Sequence, residues 1–107
     1  MKKYRVEFAD TAKADIERSF EWGRTEWGPA AARDWYKLLT KTVRQTLCII
    51  PLGFPLAPEN LVYAPEIRQM TISRYRVLFS VENRTVRVLH VRGPFLDHAV
   101  NYADIDE

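Results

Sequence analysis

The 107-residue chain predicts a two-layer α+β domain in the order β-α-α-β-β-β, a helical hairpin packed on one face of a mainly antiparallel sheet. Three observations carry this expectation. A short run near the start, KKYRVEF, alternates polar and apolar residues. Residues 10–50 then repeat at helical spacing, broken only at Gly28-Pro29, and residues 66–92 return to strand-like alternation.

In the first run Tyr4, Val6 and Phe8 fall on one face and Lys3, Arg5 and Glu7 on the other, a half-buried strand. Asp10 is placed to cap a helix through about residue 26, with Ala12, Ile16 and Phe20 as its apolar stripe. Gly28-Pro29 ends that helix and opens the next, since proline suits a first-turn position. The second helix runs to about Ile50, stopped by Pro51, with Ala32, Trp35, Leu39, Thr42, Val43, Thr46 and Ile50 on one face. So short a link makes the pair an antiparallel hairpin. PLGFPLAPENLVYAP, 51–65, holds four of the six prolines and reads as an apolar loop lying against the body. Strands follow at about 66–72, 74–82 and 85–92, the last two joined by an Asn83-Arg84 turn in which Asn tolerates positive φ.

Composition fits one soluble globular domain, 1–107, with an acidic C-terminal tail at 95–107: 47% of residues are hydrophobic and 28% charged. No run approaches the roughly 18 apolar residues of a membrane span, and MKKYRVEFAD lacks the apolar core of a secretory signal. Cys48 is the only cysteine, so an internal disulfide and a cysteine zinc cage are excluded, and a cytoplasmic location is expected. No His, Cys or carboxylate spacing suggests a metal site, and no cofactor is expected.

The net charge of +2 conceals an asymmetry. The last thirteen residues hold four acids and no Lys or Arg, leaving sixteen basic against ten acidic residues before them. Residues 66–93 contain six arginines, two glutamates and no lysine. Such a patch suits an anionic partner, and arginine offers phosphate or carboxylate a planar fork that lysine lacks.

With 83 and 84 as the turn, strict alternation pairs Val81 with Val86, Phe79 with Val88, Val77 with His90 and Tyr75 with Arg92 on the face toward the helices. The other face carries Arg74, Arg76 and Arg87 around Leu78, Leu89 and Val91. This second face is either a docking surface or a solvated sheet face whose arginine stems cover leucines. On the first face His90 is read as a packed structural histidine, its alternative being a general base. His98 is read as solvated and Trp35 as core.

The opening strand YRVEF followed by Ala-x-x-Asp-Ile, the helix pair, Phe54-Pro55, IRQM at 67–70, YRVLF at 75–79 and VRVLHVRG at 86–93 together resemble the RelE/ParE superfamily. These are toxins of bacterial type II toxin–antitoxin modules, also known as plasmid stabilisation proteins. The resemblance covers nearly the whole chain. It implies the same fold and a growth-inhibiting toxin bound by a cognate antitoxin in a hetero-oligomer. It also implies one of two targets. RelE-like members cut mRNA at the ribosome without a metal, which requires a base, an acid and cations for the extra phosphate charge. ParE-like members inhibit DNA gyrase.

By position, Arg76 matches the arginine that RelE-like enzymes aim at the phosphate, and Tyr102 falls where a C-terminal catalytic tyrosine would fall. With His90, these are the catalytic candidates of a ribonuclease reading. The open hairpin face and the resemblance together point to Arg68, Arg74, Arg76, Leu78, Arg87, Leu89, Arg92 and Trp22 as target- or antitoxin-binding residues, with Arg68 alternatively bracing the sheet edge and Trp22 alternatively a dimer contact. The chain departs from RelE in lacking its paired lysines, having Ile67 and Gln69 nearby, and in following the last strand with Gly93-Pro94-Phe95-Leu96 instead of a basic cluster. These departures favour a ParE-like toxin that acts by binding, over a nuclease or an inactive antitoxin-binding module. The acidic tail is either a frayed terminus or a screen over the arginine face.

Overall fold

A strand too short to reach the end of its neighbour sets the architecture. Strand β1, Arg5–Phe8, pairs in parallel with the first half of β4, Thr85–Arg92, from Arg5 opposite Thr85 to Phe8 opposite Val88. The computed structural model describes residues 3–61 and 66–93. Between these strands lie helix α1 (Asp10–Glu26), helix α2 (Pro29–Leu47), two 3₁₀ turns (Pro51–Gly53 and Pro58–Leu61), β2 (Arg68–Ile72) and β3 (Tyr75–Glu82). The sheet order is β1-β4-β3-β2, antiparallel except for the β1–β4 pair, so the sheet is mixed.

The expected order of elements holds, with local differences. Ala9, not Asp10, is the N-cap of α1: its N–H donates to the Val88 carbonyl, so the sheet fixes the helix start and Asp10 becomes a first-turn acid. Gly28 joins the helices at φ +100°, a conformation that L side chains rarely adopt. Helix α2 closes at Cys48, a turn earlier than expected, which buries Leu47 and leaves Ile50 exposed. In the β3–β4 turn Asn83 takes positive φ, as its residue type allows.

One core lies between the helices and the sheet. Ala12 and Ile16 of α1 and Leu39, Val43 and Leu47 of α2 meet Met70, Tyr75, Val77, Phe79, Val86, Val88 and Val91. Trp35 packs on Tyr75 with ring centroids 5.2 Å apart, and Trp27 and Trp22 continue the aromatic contacts outward. A second, smaller cluster, Ala57, Ile67, Leu78 and Leu89, lies on the other sheet face beneath the proline-rich loop. That loop is tied to the outer edge of β2: Ala57 N–H donates to Ile67 O, Gln69 N–H to Pro55 O, and Ile67 N–H to Asn60 Oδ1. Residues 55–60 are thereby held as an extra edge segment, which also covers part of an otherwise open strand.

Candidate functional site

The site is made by one extra residue in β4. Phe79 opposes Val88 and Leu78 opposes His90, so the ladder slips by one residue between Leu78 and Phe79. The slip occurs where β1 ends and α1 takes over the edge of β4. Thr11 Oγ1 donates to the Leu89 carbonyl at 2.6 Å, and Asp15 Oδ2 accepts the Val91 N–H at 2.9 Å. Side chains of the helix thus satisfy strand groups that no neighbouring strand reaches.

This bulge overturns the strict pairing expected for the second half of the hairpin. Val77 faces Val91 and Arg76 faces Arg92. Val91 enters the core, while His90 and Arg92 move to the face that carries Arg76. His90 is therefore not packed among Val77, Val86 and Val88. Its Nδ1 lies 3.0 Å from Asp15 Oδ2. A carboxylate only accepts, so Nδ1 carries the hydrogen and Nε2 is the nitrogen left for other partners. The other Asp15 oxygen pairs with Arg18.

On the same face Arg76 is held by two acceptors. Its Nη2 lies 2.7 and 2.9 Å from the two Glu59 oxygens, and its Nε donates to Gln69 Oε1 at 3.1 Å. Arg92 Nε lies 3.9 Å from Glu59 Oε2. Burial alone would raise the Glu59 pKa, but the Arg76 hydrogen bond, a backbone hydrogen bond at Glu59 and the charges of Arg76 and Arg92 together outweigh it and hold the carboxyl below its ordinary value. A cavity of about 100 Å³ beside these groups is lined by Thr11, Glu59, Ile67, Leu78, Leu89, His90 and Arg92.

The other expected site residues scatter. Leu78 is only 2% exposed, sealed by Ala57 and Ile67, and is core of the second cluster instead of a contact surface. Leu89 is half-buried beside it. Arg74 is exposed in the β2–β3 turn, and Arg87 is exposed opposite Ser80 with Glu7 at 3.8 Å. Arg68 points to the helix side, where Nη1 donates to Phe54 O at 2.7 Å, so it braces the loop. Trp22 is half-buried, edge-on to Trp27. Tyr102, His98 and the acidic tail lie outside the described residues. No three His, Cys, Asp or Glu residues among those described are grouped to hold a metal ion. No described helix is long and apolar enough to cross a membrane.

Four contributors were not among the site residues expected from the sequence: Thr11, Asp15, Glu59 and Gln69. Asp15 carried a signal, an acid beside the apolar stripe of α1. So did the slip, because valines at 86, 88 and 91 cannot all share one face of an unbroken strand.

The family model of the ParE toxin of the type II toxin–antitoxin system parDE matches residues 6–93, which contain every one of these groups. The chain belongs to the ParE toxin family. Two solved structures share the ParE-like fold described here. A chain of the chromosomal ParDE toxin–antitoxin system from P. aeruginosa is 16% identical with a TM-score of 0.71, covering 84% of this chain and 95% of that one. A chain of the RelBE2 toxin–antitoxin complex from Mycobacterium tuberculosis is 22% identical with a TM-score of 0.61, covering 87% and 93%. No curated protein sequence matches significantly.

Proposed function

We propose that this ParE-family toxin is neutralised by a cognate antitoxin and acts by binding its target, DNA gyrase, in the cytoplasm. The observation that carries the choice of binding over cleavage is the bidentate hold of Glu59 on Arg76. A guanidinium already committed to an internal carboxylate is poorly placed to stabilise charge developing on a scissile phosphate. Arg74, Arg87 and Arg92 then serve as contacts for an acidic partner surface. Between the helices an apolar groove of about 600 Å³, lined by Phe8, Ile16, Phe20 and Tyr36 and flanked by Lys13 and Arg33, suits an amphipathic antitoxin segment.

A second reading, ribosome-dependent mRNA cleavage, is favoured by one arrangement. Asp15 orients His90 so that Nε2 is available on the face of Arg76 and Arg92, a base-and-cation pairing suited to transfer of a ribose proton. Expressing the toxin alone separates the readings. Binding predicts loss of supercoiling by purified gyrase and DNA damage dependent on gyrase, with mRNA intact at ribosomes. Cleavage of mRNA that is abolished by His90→Ala and Arg76→Ala would establish the second reading and remove the first.

A further inference from the structure

The two helices carry their charge in opposite ways. Helix α1 holds five acids and three cations, and two of those cations are paired one turn away, Arg18 with Asp15 and Arg24 with Glu21. Helix α2 holds four cations, Arg33, Lys37, Lys41 and Arg44, against one acid, Asp34. All four cations are exposed, and none has an ion pair among the described residues. Arg44 instead donates to the Val6 carbonyl and lies over the Phe8 ring.

At about 100° per residue the four positions fall within an arc of about 80° on the helix. Arg33, Lys37 and Lys41 follow at i, i+4 and i+8, so each charge sits about 6 Å along the axis from a like neighbour. Such neighbours repel and destabilise a helix. One glutamate among them would relieve the repulsion, as the pairs of α1 do, and none is present. The row is also distinct from the groove between the helices, which Arg33 and Arg44 border and which Lys37 and Lys41 do not line. Of the two large exposed apolar side chains of α2, Tyr36 lines that groove and Leu38 stands on the opposite side of the row.

We propose that this face of α2 is a docking surface for the phosphate backbone of duplex DNA. A straight array of one sign matches the regular line of phosphates along a strand, about one charge per 3.4 Å of axis. An acidic protein segment fits less well, because it needs apolar anchors and the outer side of the row offers only Leu38. Lysine supplies a mobile point charge, adequate for phosphates met in any register. Contacts of this kind read no bases, so the affinity comes from counterion release and falls with salt. The inference goes beyond the target-binding reading and does not depend on it: it concerns the helical layer, whereas Arg74, Arg87 and Arg92 belong to the sheet side.

The test measures fluorescence anisotropy of two labelled DNA duplexes of unrelated sequence as the full chain is added, from about 50 to about 200 mM salt. Wild type is expected to bind both duplexes alike, with affinity falling steeply as salt rises. Lys37→Gln combined with Lys41→Gln should lower the slope of log affinity against log salt by about 2, as fits two lost phosphate contacts. Arg5→Gln combined with Arg24→Gln removes the same charge from ion-paired positions elsewhere and should leave the slope nearly unchanged. Equal losses in the two double variants would show net charge alone at work and overturn the surface, as would a wild type that binds neither duplex. Polyglutamate held more tightly than DNA through the same lysines would overturn the nucleic-acid assignment. Lys37→Glu tests the repulsion separately, because it places an acid one turn from both Arg33 and Lys41. Its urea midpoint should rise while its DNA affinity falls, and a lowered midpoint would overturn the premise of unrelieved repulsion.

Discussion

Asp15 on α1 accepts the backbone N–H of Val91 on β4 at 2.9 Å, a contact spanning 76 positions of the chain. The same oxygen meets His90 Nδ1, so one buried carboxylate both stabilises the strand slip and orients the imidazole. Removing it leaves a buried N–H without an acceptor. Asp15→Ala is expected to destabilise the fold by about 3 kcal/mol. Urea unfolding measures the loss, and a change below about 1 kcal/mol would contradict the role assigned to Asp15.

The Glu59–Arg76 pair gives stability a pH dependence of fixed sign. The Glu59 pKa is lowered in the folded protein, so its contribution is present above the ordinary carboxyl value of 4.5 and fades as pH falls through the folded value. Thermal melts of wild type and Glu59→Gln should therefore differ most near neutral pH and converge in acid. A gap that widens on acidification would reverse the sign and refute the pairing.

Leucines of the two surfaces should separate cleanly. Leu78→Ala, beneath the proline-rich loop, is expected to cost about 3 kcal/mol. Leu38→Ala, at 63% exposure on α2, should stay within about 0.5 kcal/mol of wild type. Equal effects in chemical denaturation would mean that the loop does not seal the second cluster.

Tyr75 and Gly93 are matched by shape. A Cβ on Gly93 would fall against Tyr75 Cε2, closer than real Cβ contacts allow. Gly93→Ala is expected to cost about 2 kcal/mol by overpacking. In a double-mutant cycle with Tyr75→Leu, which shortens the opposing side chain, most of that cost should disappear. Additive effects would show that the ring is not the obstacle.

The fold was legible because its signals are local. Gly28-Pro29 divides the helices, Asn83 supplies the turn, and the valines of β3 and the first half of β4 alternate at period two. The site was less legible because its contacts are distant in sequence. Glu59 is 17 positions from Arg76 and Asp15 is 75 from His90, and neither spacing follows a helix or strand period. Strict alternation also hid the environment of Arg92. It placed that guanidinium beside Tyr75 in the core, where a charge without a partner is disfavoured. The bulge resolves the conflict by returning Arg92 to the outer face and seating Val91 in its stead.

The slip after Val88 makes the number of residues as consequential as their kind. Every position from His90 onward keeps its inward or outward aim because the strand bulges around one surplus residue. Exchanging Leu89 for another side chain of similar size leaves that count intact. Deleting it would remove the bulge and leave the same partners in place, Leu78 opposite His90 and Val77 opposite Val91, so His90 would stay outward and Val91 inward. Position 89 is thus tolerant of spelling, and losing that one letter would straighten the strand without exchanging interior for exterior.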